Sequence, residues 1–363
     1  MMELPRPKPG QPIAELSTPL PLIDEEKLAA NIARVQAYMD SHGLAFRPHI
    51  KTHKIPAIAA EQVKAGAKGI NCQKITEAEI FADAGFEDLL ITFNILGTEK
   101  HKRLVDLNTR ISGLKVVADS ETTVRGLSCA FSQTRPLTVL VECDTGGGRC
   151  GVQCPEAAIG LAAIIAAAPG LTFGGILTYP KADTEEAVET FFAATLAGLA
   201  ARGIPCPIIS NAGTPGLFSA HKVNSATEHR AGTYVYNDRA MARSGHCSLD
   251  DCAMHILATV VSRPTEGRAI LDAGSKALTS DLLGFSDYGM IVEYPDAVIT
   301  SLSEEHGTVD LSKITGPRPK IGEKVRIIPN HTCVVSNLFE VMTFHRDGIV
   351  TRVEDIAARG LVW

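Results

Sequence analysis

Between residues 44 and 231 eight runs of strand length alternate with seven stretches of helical character. The strand-like runs lie near 44–50, 69–72, 88–93, 115–118, 137–143, 173–179, 207–210 and 227–231. The helical stretches lie near 56–65, 75–84, 99–107, 120–131, 155–168, 185–202 and 214–219. Eight strands alternating with helices predict an α/β fold in which a (β/α)8 TIM barrel closes the parallel sheet. Such a barrel needs about 250 residues, so 363 residues leave room for a second, smaller domain. After residue 250 the rhythm changes to short β-rich segments, among them Ile256–Val261, Arg268–Leu271, Lys324–Ile328 and Gly348–Val353. That stretch reads as an all-β C-terminal domain. Residues 1–15 carry four prolines and form an irregular leader, and Pro19–Asp24 reads as an edge strand with prolines at its start. The expected organisation is therefore a leader and strand (1–24) joining the β-domain, a barrel (25–245) and a β-rich domain (246–363). Thr76-Glu-Ala-Glu79 reads as a capping box for the helix near 75–84.

Composition narrows the partners. A net charge of −6 gives no electrostatic basis for binding nucleic acid or an anionic membrane. No apolar run reaches the roughly 18 residues of a membrane span, and the N-terminal Met-Met-Glu-Leu-Pro start lacks the apolar core of a signal peptide. Nine scattered cysteines in a chain this long read as reduced, cytoplasmic thiols.

In a barrel the active site forms at the C-terminal ends of the strands, and polar residues gather at those ends here. Arg47-Pro-His-Ile-Lys-Thr-His-Lys54 follows the first strand. Three cations and two imidazoles in eight residues repel one another unless an anion or cofactor fills the space, and a crowded, desolvated lysine has the lowered pKa that lets an amine capture an aldehyde. A solvated basic turn would give the same pattern. Gln73 follows the second strand, Asp119 the fourth, Asp144 and Gly146-Gly-Gly-Arg149 the fifth, and Tyr179 the sixth. Ser210-Asn-Ala-Gly-Thr214 follows the seventh and suits a phosphate, although a plain turn looks alike. In the β-rich domain, Pro329-Asn-His-Thr-Cys333 places His331 and Cys333 on one face if the segment is extended, and imidazole with thiolate suits zinc.

With these residues placed, the chain resembles the D-threonine aldolase and D-serine dehydratase family, pyridoxal-phosphate enzymes of the alanine-racemase fold type. The markers are the stretch 47–54, Asp144 with Gly148-Arg-Cys-Gly151, Ser210–Pro215, Arg230-Ala-Gly-Thr-Tyr234, Asp272–Ala277 and Pro329–Cys333. The resemblance implies that Lys51 carries the cofactor through its amine, that Arg149 approaches the ring's phenolic oxygen and that Tyr179 lies near the ring. It implies that Asn211, Gly213 and Thr214, joined by Tyr236, hold the phosphate, with Gln73, Thr233 and Tyr234 completing the cofactor set. It assigns His331 and Cys333 to a divalent metal (manganese, magnesium or zinc) beside the β-hydroxyl of a D-amino acid. Lys51, His53 and a metal-bound hydroxide are the candidate bases. The family implies a homodimer whose β-domains cover the partner's barrel mouth, which would bring the metal pair from the subunit opposite Lys51. Cys333 matches dehydratase-type members, whereas Ile55–Gln62 and the Arg230 segment match the aldolase branch. The expected activity is D-threonine aldol cleavage to glycine and acetaldehyde. The alternatives are a D-serine or D-threo-3-hydroxyaspartate dehydratase and, behind these, an amino-acid racemase. A non-catalytic pyridoxal-phosphate carrier is the reading from outside enzymology.

Overall fold

The computed structural model describes residues 6–363. Met1–Pro5, which belong to the leader and to the start read as lacking a signal peptide, lie outside the described residues. Two compact units separate by their internal contacts. One holds Arg34–Lys51, Ile58–Gly232 and Leu361–Trp363; the other holds the stretch ending at Ala33 together with Thr52–Ala57 and Thr233–Gly360.

Strand β1 (Leu20–Asp24) leads into α1 (Glu25–Ser41), whose first turn is capped where Asp24 accepts the Glu26 N–H at 3.0 Å and the Lys27 N–H at 3.1 Å. The barrel strands follow: β2 (Ala45–Phe46), β3 (Ile70–Cys72), β4 (Leu89–Asn94), β5 (Lys115–Ala118), β6 (Leu137–Cys143), β7 (Leu171–Thr178), β8 (Ile208–Ala212) and β9 (Glu228–Arg230). Between them run α2 (Pro56–Lys64), α3 (Ile75–Asp83), α4 (Thr98–Arg110), α5 (Glu121–Ala130), α6 (Pro155–Ala167) and α7 (Glu185–Ala201). All eight strands are parallel, in the order β2-β9-β8-β7-β6-β5-β4-β3. The two ends of that order meet: Lys68 N–H donates to Phe46 O and Asn71 N–H to Pro48 O, each at 2.8 Å. Leu90, Val117, Leu140 and Leu177, from four successive strands, pack together inside the unit. Burial on both faces explains why these strands read as near-continuous apolar runs.

Three local expectations change. The first strand is only Ala45–Phe46, and Ile50–Thr52 coil into a 3-10 turn; Pro48 has no N–H to continue the ladder. The helix expected at 214–219 is a 3-10 segment, Leu217–Lys222. The capping carboxylate of α3 is Glu77, which accepts the Gln73 N–H at 2.7 Å and the Lys74 N–H at 3.2 Å, two residues before the predicted Thr76–Glu79 pair. Thr76 instead donates its hydroxyl to Trp363 O at 2.7 Å.

The second unit carries the short helix α8 (Arg239–Arg243), then β10 (Met254–Thr265), β11 (Arg268–Leu271), α9 (Ser275–Leu278), β12 (Met290–Ile291), β13 (Val298–Leu302), β14 (Gly307–Asp310), β15 (Lys324–Ile328), α10 (Thr332–Leu338), β16 (Val341–Arg346) and β17 (Ile349–Asp355). They form one nine-stranded sheet in the order β11-β14-β13-β12-β15-β10-β1-β16-β17, and β11 also pairs with β10. That extra pairing closes six strands into a small antiparallel barrel. β1 lies between β10 and β16, so the N-terminal strand is built into this sheet. Asp272 accepts Thr259 N–H at 2.7 Å and the Thr18 hydroxyl at 2.5 Å. Gly274 is required by close approach rather than by backbone freedom: its φ is −102°, and a Cβ there would lie 2.4 Å from the carbonyl oxygens of Ser303 and Glu304.

Each unit buries a neutral histidine. Burial lowers His255 to about 3 and His229 to about 4. The unfolded chain protonates both near 6.5, so their stabilising effect is complete above that pH and is lost as pH falls toward the folded values. We expect stability to fall by about 1.4 kcal/mol per pH unit for each histidine between pH 6 and 4. Urea midpoints measured across that range check this, and His255→Gln should reduce the slope.

Candidate active site

The C-terminal end of the barrel is organised around a guanidinium with no exposure to speak of. Arg230, on β9, donates to Ser210 Oγ (2.9 Å), Asn71 Oδ1 (3.2 Å) and Thr178 O (2.7 Å), joining β9 to β8, β3 and β7. Ser210 in turn donates to Glu228 Oε1 at 2.8 Å, and the other oxygen of Glu228 accepts from Arg47 Nε at 2.9 Å. Arg47 also reaches Asp88 at 2.6 Å. Burial lowers the Arg230 guanidinium to about 10 despite Glu228 and Glu142. Burial would lower Arg47 too, but Glu228 and Asp88 outweigh it and raise it.

This network changes the reading of the stretch 47–54. Arg47 is neutralised from within, and Lys54 is buried with its Nζ on Ala358 O at 3.2 Å. The two flanking cations of the stretch are thus each held by partners of their own. Lys51 is half-buried on the 3-10 turn, and its N–H donates to His49 Nδ1 at 3.3 Å. His49 Nε2 lies 3.0 Å from Gln73 Oε1, and Gln73 donates to Thr92 O at 3.0 Å. His49 thus braces the lysine turn, a role the sequence reading missed. His53, read as an open base, is fully buried, and its Nδ1 accepts the Ile55 N–H at 3.0 Å.

The glycine-rich segment 146–148 wraps Asp144, which accepts N–H groups of Gly146 (2.9 Å) and Gly148 (3.0 Å). Arg149 is exposed and lies over the Tyr179 ring at 4.8 Å, and Tyr179 is itself 44% exposed. Tyr179 also borders Gly213, where an added Cβ would lie 3.7 Å from its ring. Gly213 has φ +109°, a conformation open to glycine. Its N–H donates to Arg230 O at 2.8 Å. Asn211 turns its Oδ1 onto the Ala212 N–H at 2.8 Å, and Thr214 is buried beside it in the chain. Arg149, Tyr179 and Gly213 therefore come together. Next to them, Asp119, Glu142 and Cys150 bring ligand atoms within 4.8 Å of one another. Burial raises Glu142 against the pull of Arg230 and Arg149. Glu142 was missed; a carboxylate inside the apolar run Leu137–Cys143 was the available signal.

In the other unit, His331 and Cys333 meet at the start of α10, not on an extended strand. His331 is the N-cap and Cys333 the second helical residue. His331 Nδ1 lies 2.9 Å from Asp238 Oδ2, and Asp238 is fully buried. The same oxygen accepts the Thr332 N–H at 3.2 Å, while Oδ1 caps α8 through Met241 N–H at 2.9 Å. Burial opposes a charge on His331, but Cys333 and Asp238 prevail and lift it to about 11. Cys333 Sγ lies 3.3 Å from Thr52 Oγ1 and 3.8 Å from Thr233 Oγ1. The thiol thus faces two hydroxyls of its own unit. Tyr234 and Tyr236 are buried in this unit, and Tyr236 O accepts Ala253 N–H at 2.7 Å.

Comparison with known proteins places this geometry. A family model described as "Alanine racemase, N-terminal domain" matches residues 23–240, and one described as "Putative serine dehydratase domain" matches 253–345. The chain is 34% identical to the D-threonine aldolase of Arthrobacter sp over 368 residues, covering 97% of this chain and 95% of that one. The chain belongs to the D-threonine aldolase and D-serine dehydratase family. Within this family the D-threo-3-hydroxyaspartate dehydratase of Delftia sp. (strain HT23) is nearly as similar, at 33% over 89% of this chain and 93% of its own. The crystal structure of D-threonine aldolase from Filomicrobium marinum superposes with a TM-score of 0.89 at 31% identity, over 98% of this chain and 100% of that one. The Delftia enzyme has also been solved as a histidine-to-alanine mutant and as a cysteine-to-alanine mutant in the metal-free form, with TM-scores of 0.87 and 0.85. An alanine racemase of Clostridium difficile, 13% identical with a TM-score of 0.71, shares the fold. The family's barrel and β-domain thus match the two units, and the members it groups are enzymes.

The buried chain Asp88–Arg47–Glu228–Ser210–Arg230 yields a stability test. Glu228→Leu leaves two buried guanidiniums short of their shared carboxylate and should destabilise the fold by about 3–5 kcal/mol. A urea titration monitored by far-UV circular dichroism measures this.

Proposed function

We propose that this chain is a lyase that uses pyridoxal phosphate and a divalent metal to act on β-hydroxy D-amino acids, and that it cleaves D-threonine to glycine and acetaldehyde. The observation that carries the proposal is the metal donor set. An imidazole whose Nδ1 is held by a buried carboxylate keeps Nε2 for a cation, and a thiol stands two residues on, against two hydroxyls. Such a braced ligand is typical of metal-binding histidines. A thiolate with imidazole favours zinc over manganese or magnesium.

The barrel residues fit pyridoxal phosphate as well. Lys51 stands on a tight turn braced by His49. Gly213 and Thr214 lie at a strand end beside the Tyr179–Arg149 stack, with Asn211 preceding them. Gln73, Thr233, Tyr234 and Tyr236 complete the proposed set. The cofactor, when bound, supplies an electron sink for the charge left at Cα. Lys51 then has two tasks, holding the aldehyde carbon and moving a proton. Arg149 is available to an anionic oxygen. His331 and Cys333 would position the substrate's β-hydroxyl through the cation and lower its pKa. His53 is committed to the Ile55 N–H, which favours Lys51 as the proton carrier. The proposal includes the homodimer and the cytoplasmic setting.

A second reading, dehydration, is favoured by one feature. The mutated histidine and cysteine of the Delftia dehydratase stand two residues apart, as His331 and Cys333 do, and its cysteine mutant was solved in the metal-free form. Incubation with D-threonine separates the readings. Glycine and acetaldehyde are expected; 2-oxobutanoate and ammonia would establish dehydration in their place. Borohydride reduction should leave the cofactor adduct on Lys51 and none in Lys51→Ala, read by peptide mass mapping. Asp238→Asn should weaken metal retention by about 10–100-fold, measured by equilibrium dialysis and metal analysis.

A further inference from the structure

His229 lies on β9 with no solvent exposure, and its Nε2 is 3.1 Å from the carbonyl oxygen of Gly213. A carbonyl only accepts, so Nε2 carries the proton and donates. The other ring nitrogen, Nδ1, is buried and has no partner. Burial keeps the ring neutral down to about 4. An unpartnered buried nitrogen is unfavourable, and an apolar side chain would fill this place in the barrel without that penalty. The imidazole is therefore explained by the single bond it makes.

That bond acts on one peptide. Gly213 has φ +109° and can flip its peptides more readily than any other residue. Both peptides that flank it are held by β9: its N–H donates to Arg230 O at 2.8 Å, and its carbonyl accepts from His229. A trans peptide is planar, so the carbonyl of Gly213 and the N–H of Thr214 point opposite ways. Anchoring the carbonyl toward His229 therefore aims the Thr214 N–H away from β9. We infer that His229 is a positioning residue for the cofactor's phosphate, acting through the Gly213–Thr214 peptide without touching the ligand itself. The inference rests on the proposed role of loop 211–214.

The test uses the purified apoenzyme, with pyridoxal phosphate and pyridoxal as separate probes followed by their absorbance. Pyridoxal has the aldehyde and lacks the phosphate. His229→Leu should bind pyridoxal phosphate about tenfold or more weakly, the loss of roughly one well-placed hydrogen bond to a charged group, and should bind pyridoxal as the wild type does. His229→Gln, whose amide still reaches the carbonyl, should recover most of the loss. Should the leucine variant not fold, His229→Asn, too short to reach, must show the loss that His229→Gln avoids. Equal weakening of both probes would make His229 a fold residue and overturn the inference, as would unchanged affinity for pyridoxal phosphate. If the wild type binds the two probes equally, the loop is not a phosphate site, and both the loop assignment and the inference fall.

Discussion

The barrel end depends on burying a full positive charge. Arg230 sits inside the strand ring with its donors directed at β3, β7 and β8, and its countercharge arrives through Ser210 and Glu228. A guanidinium suits this task because its donors form a rigid planar fork that is always charged. Removing any one acceptor would leave a buried donor unsatisfied, which is unfavourable by about 1–3 kcal/mol. The strand ends are therefore locked to one another before any ligand arrives. Loops anchored on such a floor can be short and still precise.

Two of those loops show how the locking propagates. Gly213 follows β8 and has both its N–H and its carbonyl held by β9. The Ile50–Thr52 turn leaves the barrel wall at Pro48, and His49 ties it back to Gln73 on the neighbouring strand end. In the other unit the analogous device is Asp238, one carboxylate that caps α8 with one oxygen and holds His331 and Thr332 with the other. In each case a buried group with several bonds fixes the direction of a single functional atom.

Much of this was legible in the chain itself. The eight-fold alternation of apolar and helical stretches was readable because parallel strands buried on both faces become uninterrupted apolar runs. The motifs 47–54, 210–215 and 329–333 were visible as unusual local chemistry. What each residue in them does was not. Arg47, Lys51 and Lys54 look alike as a cluster of cations, and only the fold sends Arg47 to Glu228, Lys54 to Ala358 O and leaves Lys51 half-buried on a 3-10 turn. His49 and His53 are likewise indistinguishable by spacing. One braces the lysine turn and the other closes onto the Ile55 N–H.

Periodicity and the local motifs indicated the two-part architecture, and the resemblance those motifs carry pointed to the family, to Lys51 and to the His331–Cys333 pair. They could do so because strand and helix patterns and turn chemistry are set by neighbours within a few residues. Tertiary structure alone decided which charges are neutralised, that His331 and Cys333 meet in the first turn of a helix, and which partners hold Glu142, His49, His229 and Asp238. Those outcomes depend on partners far apart in the chain, such as Arg230 with Asn71 or His331 with Asp238. No local pattern encodes which distant donor will meet which acceptor once water has been excluded.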